Sequence, residues 1–180
     1  MPPPVAASKS IRPKTVAEVF GAAFEPSNNI GMQTKIFTNK FLKWTAREYS
    51  TENTVFLLVA EDFRTQPTLG NLMQISDDFI LQGAARQINL PAAVRQSLDD
   101  KITQLKAIAE NGRRIPIAFR IDVAILDECV KEIRKLVKND SSKRLLANQF
   151  DTAFVMNPAQ TAEYDSAINF LRTEYQISLA

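Results

Sequence analysis

Histidine is absent from this chain of 180 residues, cysteine occurs once and glycine five times. Without imidazole there is no usual zinc ligand, no commonest general base, and no serine or cysteine nucleophile of the kind that relies on one. Most hydrolase chemistries fall away. A single cysteine, Cys129, cannot close an internal disulfide, and its place in an apolar helical stripe reads as a buried structural thiol of a reducing compartment, the cytosol by default. No apolar run approaches the roughly 20 residues that a membrane helix needs. The start Met1-Pro2-Pro3-Pro4 lacks the charged-then-apolar design of a signal peptide, so a soluble, unsecreted chain is expected. Charge of one sign is missing too: 22 basic and 20 acidic residues give a formal net charge of +2, spread along the sequence. That leaves no electrostatic footprint for nucleic acid.

What is present is 45% aliphatic and aromatic residues. This suits one folded, mostly helical domain with a single core, because glycine, the residue that most disfavours helix interiors after proline, is scarce. Residues 1–13 are proline-rich and aperiodic and read as an extended lead-in without chemistry. Thr15-Val16-Ala17-Glu18 has capping-box spacing ahead of Val19, Phe20 and Ala23, so a short helix starts there and ends at Pro26-Ser27-Asn28-Asn29. Phe37, Phe41 and Trp44, spaced four and three apart, put three aromatics on one helical face, which is core. Ser50 reads as an N-cap for a helix carrying Phe56, Val59, Ala60 and Phe63 until Pro67 stops it. The run Val55 to Val59 alone would also suit a buried strand, but the cap and the continued period favour helix.

Leu72, Ile75 and Phe79 define the next helix, with Gly83 as its terminator. Pro91 opens the longest one, whose stripe is Val94, Leu98, Ile102, Leu105 and Ile108, closed by Asn111-Gly112. Leu126, Val130, Ile133 and Val137 form another stripe, and Asp140 caps a short helix through Leu145 and Leu146. Tyr164, Ile168, Leu171 and Tyr175 give a last amphipathic helix after Asn157-Pro158, which packs back on the bundle or meets a partner. The expected architecture is all-α, with eight or nine helices.

Three stretches sit where a helical period breaks, so their short polar side chains are free to reach a partner. They are Glu48-Tyr49-Ser50-Thr51-Glu52-Asn53, Gln87-Ile88-Asn89-Leu90, and Leu136 to Arg144 with Asp140-Ser141 at its centre. Taken singly each has an ordinary reading. Asp140-Ser141 and Ser50 with Asn53 are plain helix caps, Asn89 before Leu90-Pro91 opens a helix, and an exposed leucine at 136 is unremarkable.

Together, in this order, and with Glu61-Asp62-Phe63 and Phe79-Ile80 between them, the motifs resemble the regulator of G-protein signalling (RGS) family. The likeness runs from about Thr15 to Phe150. It implies an RGS-like helical bundle over residues 14–150 with an insertion around 109–121, followed by an extension over 151–180. It further implies that the three loops converge at one end of the bundle and grip the switch segments of a GTP-bound Gα subunit. The contacts carried over are Glu48, Glu52 and Asn53 from the first loop, Asn89 from the second, and Leu136, Asp140, Ser141 and Arg144 from the third.

The function so implied is activation of the partner's GTPase, with no catalytic residue, metal or cofactor of the chain's own. The expected partner is a GTP-bound Gα subunit, with no nucleic acid and no integral membrane segment, in the cytoplasm or at the inner face of the plasma membrane through that partner. Phosphoryl transfer to water is accelerated mainly by positioning and by stabilising spread negative charge, and Gα supplies its own arginine and glutamine. Asn89, neutral and both donor and acceptor, is suited to steadying that glutamine without adding charge beside the γ-phosphate. The chain departs from the family pattern at Thr51, where an acidic residue is common, at Leu57, where tryptophan is, and in the longer Ile108 to Ile121 segment with Arg113-Arg114 at its tip. An RGS-like adaptor that binds without activating is the alternative, and a helical module unrelated to G proteins stands third.

Overall fold

Phe41 and Trp44 are buried and Phe37 packs against them, so the aromatic spacing does turn one face of the first helix, α1 (Met32–Arg47), into the interior. A computed structural model of the chain describes residues 32–110, 120–148 and 155–179. The proline-rich lead-in, the helix expected from Thr15, the Arg113-Arg114 tip and the boundary near residue 150 lie outside the described residues.

The centre of the molecule is α2 (Thr51–Phe63). Val55, Phe56, Leu57, Val59, Ala60 and Phe63 are all buried, which places apolar side chains around most of its circumference. A helix of that kind must be enclosed by other elements. α1, α3 (Leu69–Ile75), α5 (Asp127–Asn139) and α7 (Pro158–Glu174) all pack against it. The Val55 to Val59 run is therefore a helix, and its strand-like composition reflects burial on several sides.

α3 starts at Thr68, whose hydroxyl accepts from the Asn71 amide at 3.2 Å, and it passes into a single π-type turn over Ser76–Ile80. The wider turn brings Phe79 and Ile80, adjacent in sequence, both into the core. α4 (Ala92–Glu110) buries Leu98 and Ile102, but Ile108 is exposed, so the stripe read through Ile108 stops short of it. A 3-10 turn (Val123–Leu126) leads into α5, which buries Cys129, Val130, Ile133 and Val137. Burial pushes the Cys129 thiol up to about 11, an unreactive state.

α6 (Ser141–Ala147) is short, and α7 begins with a reciprocal capping box between Asn157 and Gln160. Among the described residues there are seven α-helices and no strand beyond one isolated bridge, Thr68 with Arg120, fewer helices than the eight or nine expected for the whole chain. No helix among the described residues is long and apolar enough to cross a membrane.

Ala167 and Leu171 of α7 are fully buried, and Phe170 meets Phe79 edge-on while Tyr175 lies tilted against it, with ring centroids 5.8 and 6.2 Å away. α7 thus closes the core on the side that α5 leaves open. Replacing Leu171 by alanine is expected to destabilise the chain by about 2–5 kcal/mol in urea unfolding, the cost of a leucine-sized core deletion. A change under about 0.5 kcal/mol would mean that α7 is not part of the cooperative unit.

Candidate functional site

The first loop is shaped by how α1 ends. The Tyr49 amide donates to the Ala46 carbonyl at 3.1 Å and the Ser50 amide to that of Thr45 at 2.9 Å, the paired bonds of a Schellman closure. Such a closure needs one left-handed residue, here Tyr49 at φ 52°. Glycine usually fills that place, and a residue with a Cβ costs about 1 kcal/mol there. The tyrosine ring is 58% exposed, so no burial offsets the strain. Ser50 occupies the N-cap position of α2, yet its hydroxyl turns back towards the Thr45 carbonyl and caps nothing. Under the loop, Thr54 donates to the Thr45 hydroxyl at 3.3 Å, tying the end of α1 to the start of α2 inside the core.

The third loop is fastened to the first. Arg144 donates from Nε to Glu48 Oε1 at 2.6 Å and from Nη2 to Oε2 at 3.0 Å, and its Nη1 donates to Asp140 Oδ1. Asp140 was expected to cap α6. It stands at the cap position without a side-chain bond to the helix, because the guanidinium one turn on offers a charge-assisted donor stronger than a backbone amide. The paired carboxylates, Glu48 first, hold the Arg144 guanidinium above its ordinary range, firmly charged. Glu48 is only 15% exposed and has both oxygens engaged, whereas Asp140 is 62% exposed and keeps one oxygen outside these bonds. Leu136, at 39%, is exposed beside them, and Ser141 and Ser142 are buried.

The second loop hangs on buried anchors. Ile88 and Leu90 are buried on either side of Asn89, which is exposed, and the Ile88 amide donates to the Phe79 carbonyl at 2.9 Å. Arg95 of α4 donates to the carbonyls of Ile80 and Ile88, and the Gly83 amide donates to Gln87 Oε1 at 2.8 Å. Gly83 takes φ 85°, a turn that glycine alone makes without strain.

Glu52 and Asn53 lie between these supports. Asn53 Nδ2 donates to Glu52 Oε1 at 3.2 Å, while Asn53 Oδ1 is buried and has no partner. Burial raises the Glu52 carboxyl above its ordinary value. Its own backbone amide opposes that rise, the Glu163 carboxylate adds to it, and Arg86 lowers it. Arg86, three residues before Asn89, therefore acts electrostatically on the first loop, and Glu163 of α7 does so from the other side. Neither was found from sequence, since each meets its partners through folding alone. Among the described residues no cluster of histidine, cysteine or carboxylate side chains could hold a metal ion. The arrangement is a polar tip whose supports are intramolecular.

A sequence model described as the Regulator of G protein signaling domain matches residues 31–152, more than half of the chain and all three loops. No curated protein matches.

The state of Glu52 predicts a pH signature. Its carboxyl binds a proton more tightly in the folded chain than in the unfolded one, so the ionised form weakens folding, and that cost is relieved as pH falls through the raised value. Glu52→Gln is expected to raise the thermal midpoint at pH 7, with the gain vanishing as pH approaches 4. A gain of equal size at both pH values would place its origin elsewhere.

Proposed function

This chain belongs to the regulator of G protein signalling domain family, and from that membership we propose that it is a GTPase-activating protein for a heterotrimeric Gα subunit. It binds the GTP-bound subunit in the cytoplasm or at the membrane face where that subunit resides, and it ends the signal by speeding hydrolysis. Domains of this family typically regulate a GTPase rather than act as enzymes. The observation that best supports the reading is the Arg144 bridge, which holds Asp140 of the third loop and reaches Glu48 of the first across 96 residues of sequence.

Each side chain has a task suited to its chemistry. Asn89, exposed on a loop held by Ile88, Leu90 and Arg95, steadies the switch glutamine that orients water. Asn53, partly exposed beside Glu52, contacts the docked switch segment through the part of its side chain that reaches the surface. Glu52 and the open oxygen of Asp140 accept from switch backbone or hydroxyl groups, and Leu136 and Ser141 complete the contact. Glu48 and Arg144 brace the loops from within. A tip ordered before binding loses less side-chain freedom on docking, and only interactions stronger in the transition state raise the partner's rate.

The commitment of both Glu48 oxygens inside the chain favours one second reading, an adaptor that binds Gα without accelerating it. Single-turnover GTP hydrolysis by a panel of Gα subunits decides between them. Wild type is expected to accelerate at least one subunit, and Asn89→Ala and Asp140→Ala each to cost about tenfold or more of that acceleration, the scale of one lost hydrogen bond. Preference for the GDP-aluminium fluoride form over the GDP form is expected alongside. Tight binding with neither acceleration nor that preference would establish the adaptor.

A further inference from the structure

α7 lies outside the matched segment, yet one face of it touches the supports of two loops. Gln160 Nε2 donates to the Arg47 carbonyl at 3.0 Å, one residue before Glu48. Glu163 accepts from the Thr51 hydroxyl, one residue before Glu52. Ser166 accepts from Arg86 Nη2 at 2.8 Å, and the same guanidinium lies 4.7 Å from the centre of the Phe170 ring. These four positions recur every three or four residues, so a single helical face spanning about 15 Å reaches from the first loop to the second.

We infer that α7 is a positioning element of the docking tip, with Glu163 as the residue that fixes the entry of α2 through Thr51. The inference rests on the activator reading for its functional consequence and on geometry for the tether itself.

Thr51 is fully buried at the first position of α2, and Glu163 is the hydrogen-bond acceptor of its hydroxyl. Losing that acceptor leaves a buried donor unsatisfied and frees the turn that carries Glu52 and Asn53. A carboxylate at 51 would face the carboxylate of Glu163, whereas a hydroxyl donates to it. Arg86 does the same for the second loop, since its bond to Ser166 and its seat on Phe170 hold the backbone leading to Asn89. Glu163 acts through Thr51, so a glutamine, whose amide oxygen still accepts from the hydroxyl, preserves the tether and an alanine does not.

The test uses the full chain as wild type, Glu163→Ala, Glu163→Gln, Thr51→Val and the alanine–valine double variant. Hydrogen exchange at the Thr54 and Val55 amides, which close the first turn of α2, reads the tether in the free protein. Glu163→Ala and Thr51→Val are each expected to speed that exchange about tenfold, the double variant to go no faster than either, and Glu163→Gln to match wild type. In single-turnover hydrolysis Glu163→Ala should raise the activator concentration for half-maximal acceleration about tenfold with the plateau rate unchanged, and Glu163→Gln should restore it. Unchanged exchange in Glu163→Ala, additive effects in the double variant, glutamine behaving as alanine, or faster exchange without a shift in half-maximal concentration would each overturn the inference. Should wild type accelerate no Gα subunit, the activator reading fails, while the exchange data still decide the tether.

Discussion

A helix that is apolar around most of its circumference has to be enclosed, and α2 sets that demand for the whole chain. α1, α3, α5 and α7 meet it, two of them reaching α2 from sequence positions far from its own. Because the enclosing helices pack along the sides of α2, its N-terminal end is where the chain turns. The first loop enters there, and the α5–α6 junction is joined to it through Glu48 and Arg144. The polar tip is thus a consequence of burying Val55, Phe56, Leu57 and Val59 and not a separately folded feature. At the opposite end of α2 the ties are ordinary surface ion pairs, Arg64 with Asp127 and Arg134 with Glu61, both at 2.6 Å, whose net worth is small.

The tip concentrates features that do not favour stability. Tyr49 holds a left-handed backbone without glycine, Glu52 is desolvated beside a second carboxylate, and the side-chain oxygens of Asn53 and Ser142 are buried without partners. Each such feature costs on the order of 1 kcal/mol, and such features gather at functional sites because the surrounding packing over-determines them. A second group of this kind lies at the end of α7, where Gln176 takes φ 58° and burial raises the Asp78 carboxyl and the Tyr175 hydroxyl above their ordinary values. A surface selected only for stability would carry glycine at 49 and a neutral side chain at 52.

Elements whose apolar residues fall on one face were legible in the sequence. The Phe37, Phe41, Trp44 stripe, the Leu126 to Val137 stripe and the Tyr164 to Tyr175 stripe all correspond to helices with those residues turned inward, because periodicity is a local signal that burial merely confirms. Positions of loop residues were legible as well, and what their side chains do was less so. Ser50 and Asp140 stand at cap positions, but neither caps, since a competing partner decided the matter: the Thr45 carbonyl for one and a guanidinium for the other. The π-type turn at Ser76–Ile80 and the left-handed Tyr49 left no mark, as no glycine or proline signals either. Arg86 and Glu163 were invisible for a different reason. Glu163 meets Thr51 across 112 residues, and nothing local distinguishes it from any solvated glutamate on a helix.

The two clamps on the first loop differ in kind, and that difference bears on how the tip behaves. Arg144, nearly half exposed, holds Glu48 and Asp140 by charge, so its grip weakens as added salt screens the pair. Thr51 is buried where it meets Glu163, so that bond lies largely beyond the reach of counterions. Salt therefore loosens the side of the tip that faces the third loop before the side anchored by α7. Between the two sit Glu52 and Asn53, whose positions follow the α7 side because Thr51 precedes them directly in the same helical turn. A partner that depends mainly on Glu52 and Asn53 would meet a surface stable across ionic strength, whereas one that depends on Asp140 would meet a surface set by its ionic surroundings.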